Sequence, residues 1–158
     1  VPEKKPTIMR ALIQRVNRAA VRVAGQVVGE VEQGLLVLVG VEEADAEADI
    51  DWLAGKLVAM RLFADEEGKM NRSLIDVGGR LLLVSQFTLH ASCKKGNRPS
   101  FIRAARPEQA ERLYQALAER LATLLGQPVE RGVFGADMQV SLENDGPVTI
   151  WLDTKAKE

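Results

Sequence analysis

The apolar positions come in short runs at both ends of the chain and at helical spacing in between. Residues 10–16 and 19–24 predict two short strands, and Ala24-Gly25-Gln26 should turn the second into a third from Val27 to Val31. "LLVLVGV" at 35–41 is an unbroken apolar run bounded by glycine, which predicts a buried central strand. Asp45 is placed to cap a helix from about Ala46 to Arg61, with Ile50, Leu53, Leu57 and Met60 on one face, acids in the first turn and Lys56 and Arg61 towards the end. A loop at 65–69 and a poorly patterned stretch lead to a turn at Gly78-Gly79, followed by a strong strand predicted from Arg80 to Leu89. Pro107 suits the first position of a second helix, Ala110, Leu113, Leu117, Leu121 and Leu124 form its buried stripe, and Gly126 ends it. Strands are expected again at 129–133, 138–143 and 148–152. Between the last two, "NDGPVT" at 144–149 reads as a hairpin turn with Pro147 opening an edge strand. Successive strands are mostly hairpin-linked, so the expected fold is α+β: a mostly antiparallel β-sheet or barrel-like core with two main covering helices.

At 158 residues the chain fits one domain that buries about two-thirds of its unfolded surface. Residues 1–8 read as an N-terminal extension, 9–153 as the domain and 154–158 as a tail. Cys93 is the single cysteine, so no intrachain disulfide is available, and no Cys/His set has zinc spacing. The expectation is a soluble cytoplasmic protein with no membrane span, no metal and no cofactor. The net charge of −1 conceals a segregation. Arg10, Arg15, Arg18 and Arg22 form one acid-free stretch, and Lys94, Lys95, Arg98, Arg103 and Arg106 form another, while the acids concentrate at 42–51. These are solvated faces or, if the basic stretches meet in space, a local phosphate-binding patch.

Familiar catalytic sets are missing. The only histidine, His90, lies near Cys93, but nothing in the sequence orients its imidazole towards the thiol. There is no P-loop and no dinucleotide fingerprint, and the carboxylates crowd one helix start rather than facing each other. One oddity is "LLLVSQFTLH" at 81–90, where Ser85, Gln86 and Thr88 interrupt an apolar strand. Strand alternation would put Ser85 with Leu83 and Phe87 on one face, and Gln86, Thr88 and His90 on the other. Buried without partners, such groups cost about 1–3 kcal/mol each, so they bond to neighbouring backbone or line a ligand pocket.

"SQFT" at 85–88, "KKGNRPSF" at 94–101, "FGADMQVSL" at 134–142 and "NDGPVT" at 144–149, with "MRALIQRV" at 9–16 and "GKMNRSLIDVGG" at 68–79, resemble the D-aminoacyl-tRNA deacylases in order and spacing over residues 9–153. The resemblance is to the standard form of the family, since Ser85-Gln86-Phe87-Thr88 and Gly146-Pro147, the motifs at which the animal relative with changed chiral selectivity departs, are intact. It implies a hydrolase acting on the carboxylic ester of D-aminoacyl-tRNA, with glycyl-tRNA as a secondary substrate. It also implies a homodimer in which Ser85, Gln86, Phe87 and Thr88 of one subunit face a cis Gly146-Pro147 dipeptide from the other, which turns away L-amino acids. Phe134 and Met138 match positions that bind the terminal adenosine; core packing accounts for them equally well. Lys94, Lys95 and Arg98 are candidate contacts to tRNA phosphates, and the only nucleic acid implied is aminoacylated tRNA, not DNA. An ester on ribose has a neighbouring 2′-hydroxyl that can assist water, so a site without a protein base is chemically sufficient. The rival reading is a non-catalytic RNA-binding or oligomeric scaffold.

Overall fold

The computed structural model describes residues 9–42 and 47–155. The expected extension at 1–8, the helix cap Asp45 and residues 156–158 of the tail lie outside the described residues. In chain order the elements are β1 (Met9–Val23), β2 (Gln26–Val31), β3 (Gly34–Val41), α1 (Glu47–Ala59), β4 (Phe63–Ala64), β5 (Met70–Arg72), α2 (Leu74–Val77), β6 (Arg80–Ser85), a 3₁₀ turn (Phe87–His90), α3 (Pro107–Leu125), β7 (Glu130–Arg131) and β8 (Gln139–Asp153). β4 and β5 form a separate small ribbon.

The two strands expected at 10–16 and 19–24 are one long strand, β1, which organises the sheet. Along one edge, Met9–Val16 pairs with β3 and Ala19–Val23 pairs with β2; along the other, β8 runs antiparallel to nearly its full length. β6 then adds parallel to β3, and β7 parallel to β6. The sheet is therefore mixed. The backbone N–H of Glu30 on β2 donates to Glu130 Oε1 on β7 at 3.4 Å, so the two ends of the strand order approach each other and the sheet is nearly closed and barrel-like.

Both faces of its central strands are buried, which is why β3 and β6 are continuously apolar rather than alternating. Leu35, Val37, Val39, Leu81 and Leu83 face the main core under α1 and α3, while Leu36, Leu82 and Val84 join Val16, Val21 and Val31 in a second cluster on the opposite face. α3 buries Ala110, Leu113, Leu117 and Leu121 of its predicted stripe, leaves Leu124 half-buried and adds Tyr114 and Ala118; the Tyr114 hydroxyl donates to the carbonyl of Leu83 at 2.8 Å and ties the helix to β6. Gly126 ends the helix in the left-handed conformation, φ 68°. The poorly patterned stretch before β6 contains α2, held by a reciprocal capping box between Ser73 and Asp76.

Candidate active site

β6 stops at Ser85. The backbone N–H of Gln86 makes one more bond, 2.7 Å to the carbonyl of Val39, and the chain then leaves the sheet in the 3₁₀ turn. The alternation expected through residue 90 is thus overturned from Phe87 onwards: Gln86, Thr88 and His90 do not share a strand face. A 3₁₀ turn leaves its leading N–H groups without internal partners, and those of Phe87 and Thr88 form no hydrogen bond among the described residues. Leu89 N–H, by contrast, donates to Gln86 O at 3.2 Å. The Gln86 side-chain amide donates to Thr88 Oγ1, locking the segment locally.

Two elements hold the turn in place. Gly40 on β3 is the closer: a Cβ there would stand 2.9 Å from both Gln86 O and His90 Cδ2, so only a residue without a side chain lets the turn pack this tightly. Arg10 on β1 donates from Nη1 to Leu89 O at 2.9 Å, and its Nε lies 3.3 Å from Asp153 on β8. Neither residue stands out in the sequence as part of a site.

His90 itself is buried against the Gly40 backbone without a well-formed hydrogen bond from either ring nitrogen. Burial, seconded by the Arg10 and Arg103 charges and opposed by the Gly40 backbone and Glu42, holds its pKa below the ordinary 6.5. It is therefore neutral in the folded protein at pH 7. As pH falls below 6.5 the unfolded chain takes up a proton that the folded chain refuses, so stability is full above that value and declines through the window down to the folded pKa. Thermal melts from pH 7 to 5 are expected to show a drop in Tm that is shallower in His90→Phe; parallel curves would mean His90 carries none of it.

A cavity of about 660 Å³ opens beside the turn. It gathers Ser85, Gln86 and Phe87 with Phe134 and Met138, joining two candidate groups that lie far apart in sequence. Phe134 is half-buried and tilts against Tyr114, ring centroids 6.0 Å apart, while Met138 packs beside the second core cluster, so each combines core contact with exposure to the cavity. Phe87 and Phe101 meet edge to face at 5.1 Å on the wall. Phe101 and the following Ala104–Pro107 segment were not legible as lining residues, because their position depends on a bridge between Glu42 and Ala104 that closes a loop distant in sequence. Thr88 is adjacent but is not among the lining residues. Lys94, Lys95 and Arg98 are exposed on the turn between the bridged Ser92 and Ser100, outside the cavity.

Gly146 and Pro147 are not in the cavity either. The hairpin expected there does not exist, because residues 139–144 and 149–153 both pair with β1 as parts of the single strand β8. Gln14 faces Thr149 and Val16 faces Asn144, so Arg15 is the one residue of β1 opposite the four-residue stretch 145–148 of β8, which bulges from the strand. The Gly146–Pro147 peptide is cis. Asn144 closes the bulge by accepting from Val148 N–H at 2.7 Å and donating to Thr149 Oγ1 at 3.1 Å. Arg15 clamps it, donating from Nε to Asp145 O at 2.9 Å and from Nη1 to Leu62 O at 2.6 Å.

The match to known proteins is extensive. A family model described as D-Tyr-tRNA(Tyr) deacylase covers residues 12–153. The chain belongs to this family. A D-aminoacyl-tRNA deacylase of Akkermansia muciniphila is 61% identical over 150 residues, 95% of this chain and all of the relative. Among solved structures, one titled c-Myc DNA Unwinding Element Binding Protein superposes with a TM-score of 0.85 at 40% identity, covering 90% of this chain and 97% of that one. A probable eukaryotic D-amino acid tRNA deacylase superposes with a TM-score of 0.81 over 92% of this chain and 99% of that one; at 18% identity it shares the fold. Membership in the D-Tyr-tRNA(Tyr) deacylase family marks this chain as a hydrolase of that type, and it does so independently of the cavity geometry.

Proposed function

We propose that this chain hydrolyses the ester joining a D-amino acid to the terminal adenosine of tRNA, releasing D-amino acid and free tRNA in the cytoplasm, with glycyl-tRNA as a lesser substrate. The observation that carries the reading is the cavity at the end of β6, where the unpaired N–H groups of Phe87 and Thr88 sit beside a space lined by Ser85, Gln86, Phe134 and Met138. Adjacent free backbone donors suit the oxyanion that develops as water adds to an ester carbonyl. Phe134 and Met138 offer an aromatic face and a polarizable sulfur to the adenine. Lys94, Lys95 and Arg98 meet acceptor-stem phosphates, which makes affinity salt-sensitive.

The working form is a homodimer. β8 is a long edge strand whose outer edge has no partner among the described residues, and it exposes Val140, Leu142 and Trp151, a pattern that favours a second copy. In that dimer Gly146 and Pro147 of the partner subunit approach the Ser85–Thr88 segment and leave no room for an L side chain. D- and L-esters carry identical groups, so discrimination has to come from such exclusion.

Deacylation of D- and L-tyrosyl-tRNA tests the reading. Rapid release of the D-amino acid alone is expected. Binding of both without turnover would favour the scaffold alternative instead.

A further inference from the structure

The cavity has one charged residue among those described as lining it, Arg106. It precedes the first residue of α3 in an extended conformation, φ −60° and ψ 149°, and is exposed. Its neighbour Arg103 is neutralised by Glu42, with Nε 2.9 Å from Oε1, whereas the Arg106 guanidinium forms no ion pair or hydrogen bond among the described residues; only its backbone carbonyl is engaged, accepting from Ala110 N–H at 2.9 Å. The remaining lining is mostly apolar, with Ser85 and Gln86 supplying neutral polar groups. A single unpaired guanidinium at such a cavity calls for an anion.

The chemistry of the substrate identifies which anion that is. The ester, ribose and adenine are neutral, and the α-ammonium of the amino acid is repelled by an arginine. The one negative group within a nucleotide of the scissile bond is the phosphate on the 5′ side of the terminal adenosine. We infer that Arg106 is a substrate-positioning residue that holds this phosphate, anchoring the adenosine end while the ester reaches the Phe87–Thr88 turn. A planar fork of N–H donors matches phosphate oxygens better than an ammonium does. The inference rests on the hydrolysis proposed above and adds the group by which the substrate's nucleotide end is registered.

The test compares three substrates: D-tyrosyl-tRNA, 3′-O-D-tyrosyl-adenosine and its 5′-phosphorylated form. With tRNA, Arg106→Gln is expected to raise KM about tenfold, the loss of one charge-assisted contact, with kcat little changed. Arg106→Lys should recover part of that loss. The slope of log affinity against log salt should shrink by about 0.7, the value for one phosphate contact on a single strand. Phosphate-free aminoacyl-adenosine should be cleaved equally by wild type and Arg106→Gln, and the defect should return on the 5′-phosphorylated compound. An equal defect on the phosphate-free compound, or an unchanged KM on tRNA, overturns the assignment. So does an equal rise in KM for Arg112→Gln, on the exposed face of the same helix, since that would mean diffuse charge attraction. Failure of the wild type to cleave any of the three esters would instead strike at the deacylase reading itself.

Discussion

Replacing Gly146 by alanine is expected to lower D-aminoacyl-tRNA hydrolysis about a hundredfold, the scale of a displacement near 1 Å at a reacting site. The reason is local geometry. Gly146 has φ +148°, a conformation L-residues rarely adopt, and a Cβ there would stand 2.7 Å from Val148 N and 2.8 Å from Val148 Cγ2. Backbone cannot yield as the end of a side chain does, so the bulge must shift. A third contact, 3.3 Å to Arg15 Nη2, would disturb the clamp that fixes the bulge on β1. Asp145, Gly146 and Pro147 are exposed, and only Val148 of the bulge, half-buried, packs against the main core. Strain of about 1–2 kcal/mol therefore lowers Tm by only about 2–8 °C. Measuring turnover and Tm on the same preparation separates the two effects: activity lost with little melting change is the expected pair. Unchanged turnover and unchanged D- over L-preference would remove Gly146 from the proposed chiral filter.

That bulge also shows where reading the sequence succeeds and where it stops. β3, β6 and α3 are legible because their evidence is local: unbroken apolar runs buried on both faces, and a stripe from Ala110 to Leu121 with proline before and glycine after. "NDGPVT" is different. Asn144, Asp145 and Gly146 serve a turn or a bulge equally well, and the choice is made by β1, whose length lets it pair with residues on both sides of the interruption. The same holds for Ser85–Thr88. The pattern of residues 81–90 continues as a strand, but the ladder ends at Gln86 because Gly40, on another strand, lets the chain fold down as a 3₁₀ turn. The motif residues were visible as an anomaly in the sequence; the free N–H groups of Phe87 and Thr88 follow only from that distant glycine. Arg106 was visible merely as one charge in a basic stretch, since the cavity that gives it meaning is assembled from β3, β6, α3 and the segment before β8.

The second large effect concerns the substrate rather than the protein. Replacing the 2′-hydroxyl of the terminal adenosine by hydrogen is expected to slow hydrolysis by about 10²–10⁴, the usual contribution of a positioned acid or base. Among the described residues the cavity lining includes no histidine or carboxylate. His90, two residues past the motif in the same 3₁₀ turn, is buried against Gly40 and its burial holds its pKa low, so it is a weak base, and it is not among the residues lining the cavity. Thr88 has a hydroxyl in the right segment, but Oγ1 accepts from the Gln86 amide, a donor that cannot take its proton. An acyl-threonine route would require that proton to leave, and no hydrogen bond among the described residues gives it an acceptor. In the proposed reaction the ribose hydroxyl, adjacent to the ester in every substrate molecule, is the group expected to orient or activate water. Backbone donors would then supply what the ribose lacks, stabilisation of the oxyanion. Thr88→Ala should accordingly keep appreciable turnover while the 2′-deoxy substrate is nearly inert. An undiminished rate on the 2′-deoxy ester together with a dead Thr88→Ala enzyme would invert the assignment and make the threonine the nucleophile.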